Sequence, residues 1–248
     1  MSTGGAQGAQ ATVEEILRGN QIRTVFQPIV NLRAGTVKGW EALSRGPSGT
    51  KFEEPREMFE AAEGRMLDRH CCSTALSAAR GLPKDTKLFI NILPSSLYDP
   101  SLVEVFEQQD VGVERIVLEI SERQTVEDTA KLAEAMRRFT DRGFEVAVDN
   151  VGSGYSGLER VAHLHPSYLK LHRSLVQNID TSHALRKMIR ALESLTAKNE
   201  GALIATGVER EEELKALKEM GVEYGQGWLL GRPIDTPGSG SPGEPTAT

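Results

Sequence analysis

Acidic, amide and basic side chains recur in this chain at the ends of short apolar runs. Glu41 and Arg45 stand in Trp40-Glu41-Ala42-Leu43-Ser44-Arg45, Asn91 closes Leu88-Phe89-Ile90, and Glu119 follows Val117-Leu118, with Glu122 just beyond. Asp149-Asn150 ends a fourth run, Lys170-Leu171-His172 a fifth; Thr206 and Glu209 follow Leu203-Ile204-Ala205, and Gln226 follows Tyr224-Gly225. One such residue is more often a solvated loop group than a catalyst. A polar terminus on nearly every run instead points to one shared polar, partly acidic pocket. Oxygen-rich sites of this kind suit hard cations such as Mg²⁺ or Mn²⁺. Two such ions, held about 4 Å apart, would clamp the attacking and leaving oxygens of a phosphodiester. Arg45 and Lys170 would then meet phosphate oxygens. Gly152-Ser153-Gly154 could lend N–H groups to an anion, though a tight turn explains it equally well.

Such a pocket needs elements that aim every one of these residues at the same place. Eight strand-like runs are legible: Arg23–Val30, Val37–Ser44, Lys87–Ile92, Arg115–Ile120, Phe144–Asp149, Tyr168–Leu171, Ala202–Ala205 and Tyr224–Gly227. Only Asn31–Thr36, containing Ala34-Gly35, separates the first two, which predicts an antiparallel hairpin. Later runs alternate with helix-like segments over 126–142, 182–199 and 210–220. The first has Thr125 and Asp128 at its start, an apolar stripe through Leu132, Ala135 and Phe139 beside Ala133, Met136 and Thr140, and Gly143 as its stop. Eight strands with intervening helices in about 220 residues predict an α/β fold, a TIM-type (β/α)8 barrel, whose chemistry collects at the C-terminal ends of the strands. An open doubly wound sheet is the alternative.

The whole chain agrees with one such unit. It has 248 residues, 39% hydrophobic and 26% charged, with a net charge of −6. That balance argues against long nucleic-acid polymers, which bind basic surfaces. Residues 1–11 and 235–248 are small, polar and Pro/Gly-rich, and are read as disordered tails around a domain over 12–234. No apolar run reaches 18 residues and no signal-peptide pattern opens the chain, so a cytoplasmic protein without a membrane span is expected. The adjacent Cys71 and Cys72 cannot staple a fold and are read as buried helix thiols.

Gln27-Pro28-Ile29, Glu41-Ala42-Leu43-Ser44-Arg45, Asn91, Leu118-Glu119-Ile120-Ser121-Glu122, the stretch DNVGSGYSGL from Asp149, Lys170, Gly207-Val208-Glu209 and Gln226-Gly227 together resemble the EAL domain family over roughly residues 13 to 234. The resemblance implies a modified TIM barrel with an antiparallel first strand pair, and two-cation hydrolysis of the messenger cyclic di-GMP to the linear dinucleotide. It implies Glu41, Asn91, Glu119 and Asp149 as ligands to Mg²⁺ or Mn²⁺, and Lys170 as holder of the attacking water. It further implies Arg45 on a ligand phosphate, Leu43 in the nucleotide pocket, and Gln27, Glu209 and Gln226 as residues shaping the site. Glu122 corresponds to the anchor of the loop after strand five. Retention of that loop implies a homodimer through the barrel loops.

Three positions depart from the family pattern, and each loses a carboxylate: Asn150, His172 and Thr206. Asn offers one neutral oxygen, Thr is a poorer ligand, and His suits transition metals better than Mg²⁺. The expectation is therefore weak two-cation binding, or no cation at all, and slow or absent turnover. Losing three charges also removes repulsion toward a dianionic ligand. Three readings follow, in order: a non-hydrolysing cyclic di-GMP receptor, a slow phosphodiesterase, and a protein-interaction module that no longer takes nucleotide. His172 would add a donor to the ligand if it points inward. Outside this set, His163, His165, Arg65, Arg69 and Arg80 read as surface groups and Tyr155 as packing. Trp40, opposite Glu41 by strand alternation, and Trp228 read as packing against the helix layer.

Overall fold

A computed structural model describes residues 12–235 apart from 62–63, 109, 122–127, 153–162 and 199. Glu122, Thr125, Tyr155, most of the DNVGSGYSGL loop and nearly all of both tails lie outside the described residues. Eight strands close into a barrel in sequence order. They are β1 (Arg23–Asn31), β2 (Val37–Arg45), β3 (Lys87–Asn91), β4 (Ile116–Ser121), β5 (Glu145–Val151), β6 (Tyr168–Leu171), β7 (Ala202–Thr206) and β8 (Tyr224–Gln226). β1 runs antiparallel to both β2 and β8, and every other neighbouring pair is parallel. Pairing of β1 with β8 rules out the open sheet. The hairpin forms as expected: Asn31 Oδ1 accepts from the Arg33 and Ala34 N–H groups, and Gly35 takes the left-handed conformation, with φ 70°.

Eight helices lie between and before the strands among the described residues: α1 (Val13–Arg18), α2 (Pro55–Ala61), α3 (Gly64–Ala78), α4 (Ser101–Glu107), α5 (Thr129–Thr140), α6 (Arg173–Val176), α7 (His183–Ala197) and α8 (Glu211–Met220). The Asp128 side chain caps α5 by accepting from Lys131 N–H, so the helix starts later than the periodicity over 126–142 suggests. Leu132, Ala135, Met136 and Phe139 form its buried face, while Thr140 is exposed. Ser182 caps α7, and Gly221, at φ 85°, ends α8.

Alternation along the strands sorts side chains into two cores. Outward-facing residues such as Leu88, Leu118, Val148 and Leu169 pack with the helices in one large cluster. Trp40 joins it, as expected. Inward-facing Ile29, Phe89, Val117, Ala147, Tyr168, Ile204 and Tyr224 plug the barrel, with Tyr168 edge-on to both Phe89 and Tyr224. This apolar layer is the floor of the site. Two residues further along, on the same inward face, come Asn91, Glu119, Asp149, Lys170, Thr206 and Gln226. β1 runs the other way, so its inward polar residue, Gln27, precedes Ile29 by two and faces Glu41 across the hairpin.

Candidate active site

Lys170 is the hub of the inward polar layer. Its Nζ lies 2.7 Å from Glu119 Oε1, 2.9 Å from Glu41 Oε2 and 4.0 Å from Asp149 Oδ1. Relative exposures of 2% for Lys170, 0% for Glu119 and 8% for Glu41 make this a buried ion cluster. Three carboxylates face one ammonium, a net charge of −2 if all are ionised. Amides complete the network. Gln226 Nε2 donates to Glu41 Oε2 at 2.7 Å and to Gln27 Oε1 at 3.2 Å. Asn91 Nδ2 donates to Glu41 Oε1 at 3.0 Å, and Gln27 Nε2 to the Gly231 carbonyl at 3.0 Å.

These surroundings separate the acids. Burial pushes the Glu41 carboxyl up, but the Lys170 charge and hydrogen bonds from Lys170, Gln226 and Asn91 outweigh it and hold the group at about 2. Glu119 goes the other way: burial, with repulsion from Glu41 and Asp149, outweighs Lys170 and raises it well above the usual range. Burial disfavours the Lys170 ammonium, yet the charges of Glu119, Glu41 and Asp149 raise its pKa. Glu119 Oε2 is buried with no hydrogen-bond partner. An orphaned carboxylate oxygen costs free energy, and a cation would satisfy it. Glu41, Glu119, Asp149 and the Asn91 amide offer hard oxygens of the kind Mg²⁺ or Mn²⁺ takes, but Lys170 Nζ stands where the carboxylates converge, and among the described residues no group of three acids is arranged to hold a metal ion.

Asn150, Thr206 and His172 add no carboxylate to that set. The Asn150 amide, at a bulge in β5 where φ reaches 63°, donates to the neighbouring Asp149 carboxylate. The Thr206 hydroxyl donates to the Leu171 carbonyl at 2.6 Å. His172 caps α6: its Nδ1 accepts from Ser174 N–H at 3.3 Å and lies 2.9 Å from Ser174 Oγ.

A cavity of about 300 Å³ opens over the ion cluster, lined by Gln27, Glu41, Asp149, Asn150, Lys170, Thr206, Glu209 and Gln226. A second lobe of about 440 Å³ shares Glu41 and Asn150 with it and holds Leu43 and Asn91 among apolar neighbours including Phe59 and Ile92. On the other side a groove of about 650 Å³ contains Arg45, whose Nη1 donates to the Ser44 carbonyl at 2.9 Å. The site residues expected from the sequence thus line this mouth or, in the case of Glu119, lie buried in the ion cluster; His172 lines none of these cavities, and Glu122 lies outside the described residues.

Some lining residues carried no signal in the sequence. Arg173 lines the central cavity, and Asp68 and Cys71 the apolar lobe. Asp68, on α3 and buried, accepts from Leu93 N–H at 2.7 Å and so ties down the chain leaving Asn91. The expected packing of Trp228 against the helices is overturned. Gly227 lies so close to the Val208 backbone that a Cβ there would come within 2.2 Å of the Val208 oxygen. The following turn, with Leu230 and Gly231 N–H donating to the Gly227 carbonyl, leaves the Trp228 ring 59% exposed at the mouth. His163 and His165 are exposed, as are Arg69 and Arg80. Both cysteines are buried free thiols.

A closed eight-stranded barrel with an inverted first strand and a carboxylate–lysine cluster at its mouth defines an EAL-type site. The chain belongs to the EAL domain family, which matches residues 10–233. It is 28% identical to a probable cyclic di-GMP phosphodiesterase of Escherichia coli, PdeG, over 90% of this chain and 48% of that protein. The chain therefore spans about half the length of that relative. A standalone EAL protein from Vibrio cholerae, solved with cyclic di-GMP bound, superposes with a TM-score of 0.78 at 30% identity, covering 88% of this chain and 94% of the other. BlrP1 of Klebsiella pneumoniae, solved with manganese and cyclic di-GMP, gives 0.79 at 27% identity over 88% of this chain and 57% of the other. No helix among the described residues is long and apolar enough to cross a membrane.

Proposed function

We propose that this domain binds cyclic di-GMP and hydrolyses it slowly or not at all. The observation carrying this reading is the disposition of the three substituted side chains. Asn150, Thr206 and His172 spend their polar groups on Asp149, the Leu171 carbonyl and Ser174. That leaves a carboxylate set suited to one cation, already partly neutralised by Lys170. One divalent cation held by Glu41, Asn91, Glu119 and Asp149 would acidify a bound water and polarise a phosphoryl oxygen. Asn150, His172 and Thr206 bring no further carboxylate with which a second cation would be held to neutralise the leaving oxygen. Lys170 carries a positive charge across the physiological range, so it can orient a water and attract phosphate but cannot act as a general base. The missing carboxylates also lower the repulsion a phosphodiester meets at the mouth. Arg45 would supply a forked donor to phosphate, and Leu43 apolar area in the second lobe.

The second reading, a slow one-metal phosphodiesterase, is favoured by the orphaned Glu119 Oε2 beside the oxygens of Glu41 and Asp149. Calorimetric titration with cyclic di-GMP, in EDTA and in Mn²⁺, followed by chromatography of the same samples, separates the two. Binding in EDTA with unchanged ligand in both samples is the expected result. Absence of binding at high micromolar ligand in EDTA overturns the receptor reading. Linear dinucleotide formed in Mn²⁺, and abolished by Glu41→Ala, establishes the enzyme. The triple variant Asn150→Asp, His172→Asp, Thr206→Glu is expected to gain Mn²⁺-dependent turnover.

A further inference from the structure

Lys170 and Arg173 are the two cationic side chains that line the central cavity among the described residues, and they spend their charge differently. The Lys170 ammonium lies within 4.0 Å of three carboxylates, those of Glu41, Glu119 and Asp149. A phosphate approaching Lys170 therefore meets those acids as well as the ammonium. Arg173 is exposed, and its side chain makes no hydrogen bond or ion pair among the described residues. Glu209 lines the same cavity, yet no ion pair joins it to Arg173. The fold sets up this unspent charge. β6 lies between β5 and β7, and Arg173 follows its last residue by two. The intervening His172 caps α6 through Ser174, which fixes the backbone from which Arg173 emerges. Gly207, at φ 72°, leaves room for the stem: a Cβ there would come within 2.6 Å of Arg173 Cβ.

The neighbours on either side explain why the charge stays unspent. Asn150 of β5 and Thr206 of β7 line the cavity with Arg173, and neither is acidic. Their polar groups go to the Asp149 carboxylate and the Leu171 carbonyl. What remains is a planar fork of donors, on a stem held against Gly207, at the edge of a cavity of about 300 Å³. Such a fork matches a phosphodiester, whose two free oxygens share one negative charge. Cyclic di-GMP carries two phosphodiesters. Arg45 lines the neighbouring groove and not the central cavity, so it can serve only one of them. We propose that Arg173 binds the other phosphodiester, supplying inside the central cavity the positive charge that a metal ion would otherwise bring. This inference rests on the nucleotide-binding reading above and adds the group that frees binding from a metal ion.

The test uses the full chain, with cyclic di-GMP in EDTA as probe, read by calorimetry at low and high NaCl. Arg173→Ala is expected to bind about ten- to 150-fold more weakly, the range for losing a hydrogen bond to a charged group. Arg173→Gln, which keeps most of the length but not the charge, should lose nearly as much, and Arg173→Lys should recover part of it. Added salt should weaken the parent's binding more steeply than that of either uncharged variant, because ions screen an exposed charge. A packing role would not produce that difference. All three variants should melt as the parent does, since the side chain is exposed. Parent binding with Arg173→Ala and Arg173→Gln within about twofold of it, or with a salt dependence equal to theirs, overturns the role of Arg173 alone. No binding by the parent in EDTA overturns that role together with the nucleotide-binding reading.

Discussion

Replacing Lys170 by Met tests the electrostatic core of the site. Met fills nearly the same volume and removes only the charge and its hydrogen bonds. In the cation-free protein the change leaves Glu41, Glu119 and Asp149 facing one another without the ammonium that now lies 2.9, 2.7 and 4.0 Å from them. Two unit charges at such separations attract by roughly 4–6 kcal/mol at an effective dielectric near 20. Much of that is offset by the cost of burying the ions, and breaking a buried pair from one side typically costs about 3–5 kcal/mol. For a domain of this length that lowers Tm by roughly 6–20 °C. The contribution of Glu41 to the pH dependence should invert as well. In the parent, Glu41 at about 2 lies below its unfolded value, so its stabilisation is present above the unfolded carboxylate range and lost as pH falls towards 2. Glu119 already lies above its unfolded value in the parent; in Lys170→Met, without the ammonium, it rises further and Glu41 rises above its own unfolded value as well. The variant should then be most stable in mild acid and weaken as pH climbs. Circular-dichroism melts in EDTA across that range provide the assay. Excess Mn²⁺ should raise the variant's Tm more than the parent's, because a divalent cation can take the ammonium's place. A Tm in EDTA within about 2 °C of the parent at neutral pH, under 1 kcal/mol, would refute the claim that Lys170 holds the acids together.

Three further outcomes follow from residues around the cluster. Burial raises the Asp68 carboxyl to about 6, with the nearby Ser96 hydroxyl and the hydrogen bond from Leu93 N–H only partly opposing it. Its raised value means stability is lost as pH climbs from about 4 to 6, so Asp68→Asn, which keeps an acceptor for Leu93, should flatten that slope and gain about 1–3 kcal/mol at pH 7 by chemical denaturation. Burial pushes the Cys71 thiol up to about 12 and Cys72 well above its ordinary value. Neither should react with a thiol-specific reagent at pH 8 until the chain is unfolded, and rapid labelling of the native protein would contradict this. Gly227→Ala forces a methyl group against the Val208 backbone and should cost about 1–3 kcal/mol, measurable as a lower Tm.

Much of the mouth is legible in the sequence because strand alternation is a local rule. Once Phe89, Val117, Tyr168 and Tyr224 face the barrel axis, Asn91, Glu119, Lys170 and Gln226 must do so two residues later. The short Asn31–Thr36 connection likewise leaves the first two strands little choice but to pair antiparallel. Boundaries were less legible where a side chain outside the pattern intervenes. Asp128 delays the start of α5, and the bulge at Asn150 carries β5 past Asp149 to Val151.

What the sequence determined by itself is therefore the inventory: which residue types stand at the strand ends, with Asn150, His172 and Thr206, none of them a carboxylate, beside the acids. What only the tertiary structure decided is how those residues spend their hydrogen bonds. Residues as distant in the chain as Glu41, Glu119 and Lys170 meet in one ion cluster, while His172 turns to Ser174 and Thr206 to a backbone carbonyl. Trp228 reads as packing in the sequence and stands exposed at the mouth instead. The reason is physical. Periodicity specifies the face on which a side chain emerges, but its partner is settled by competition among buried polar groups and by close backbone approaches such as Gly227 against Val208.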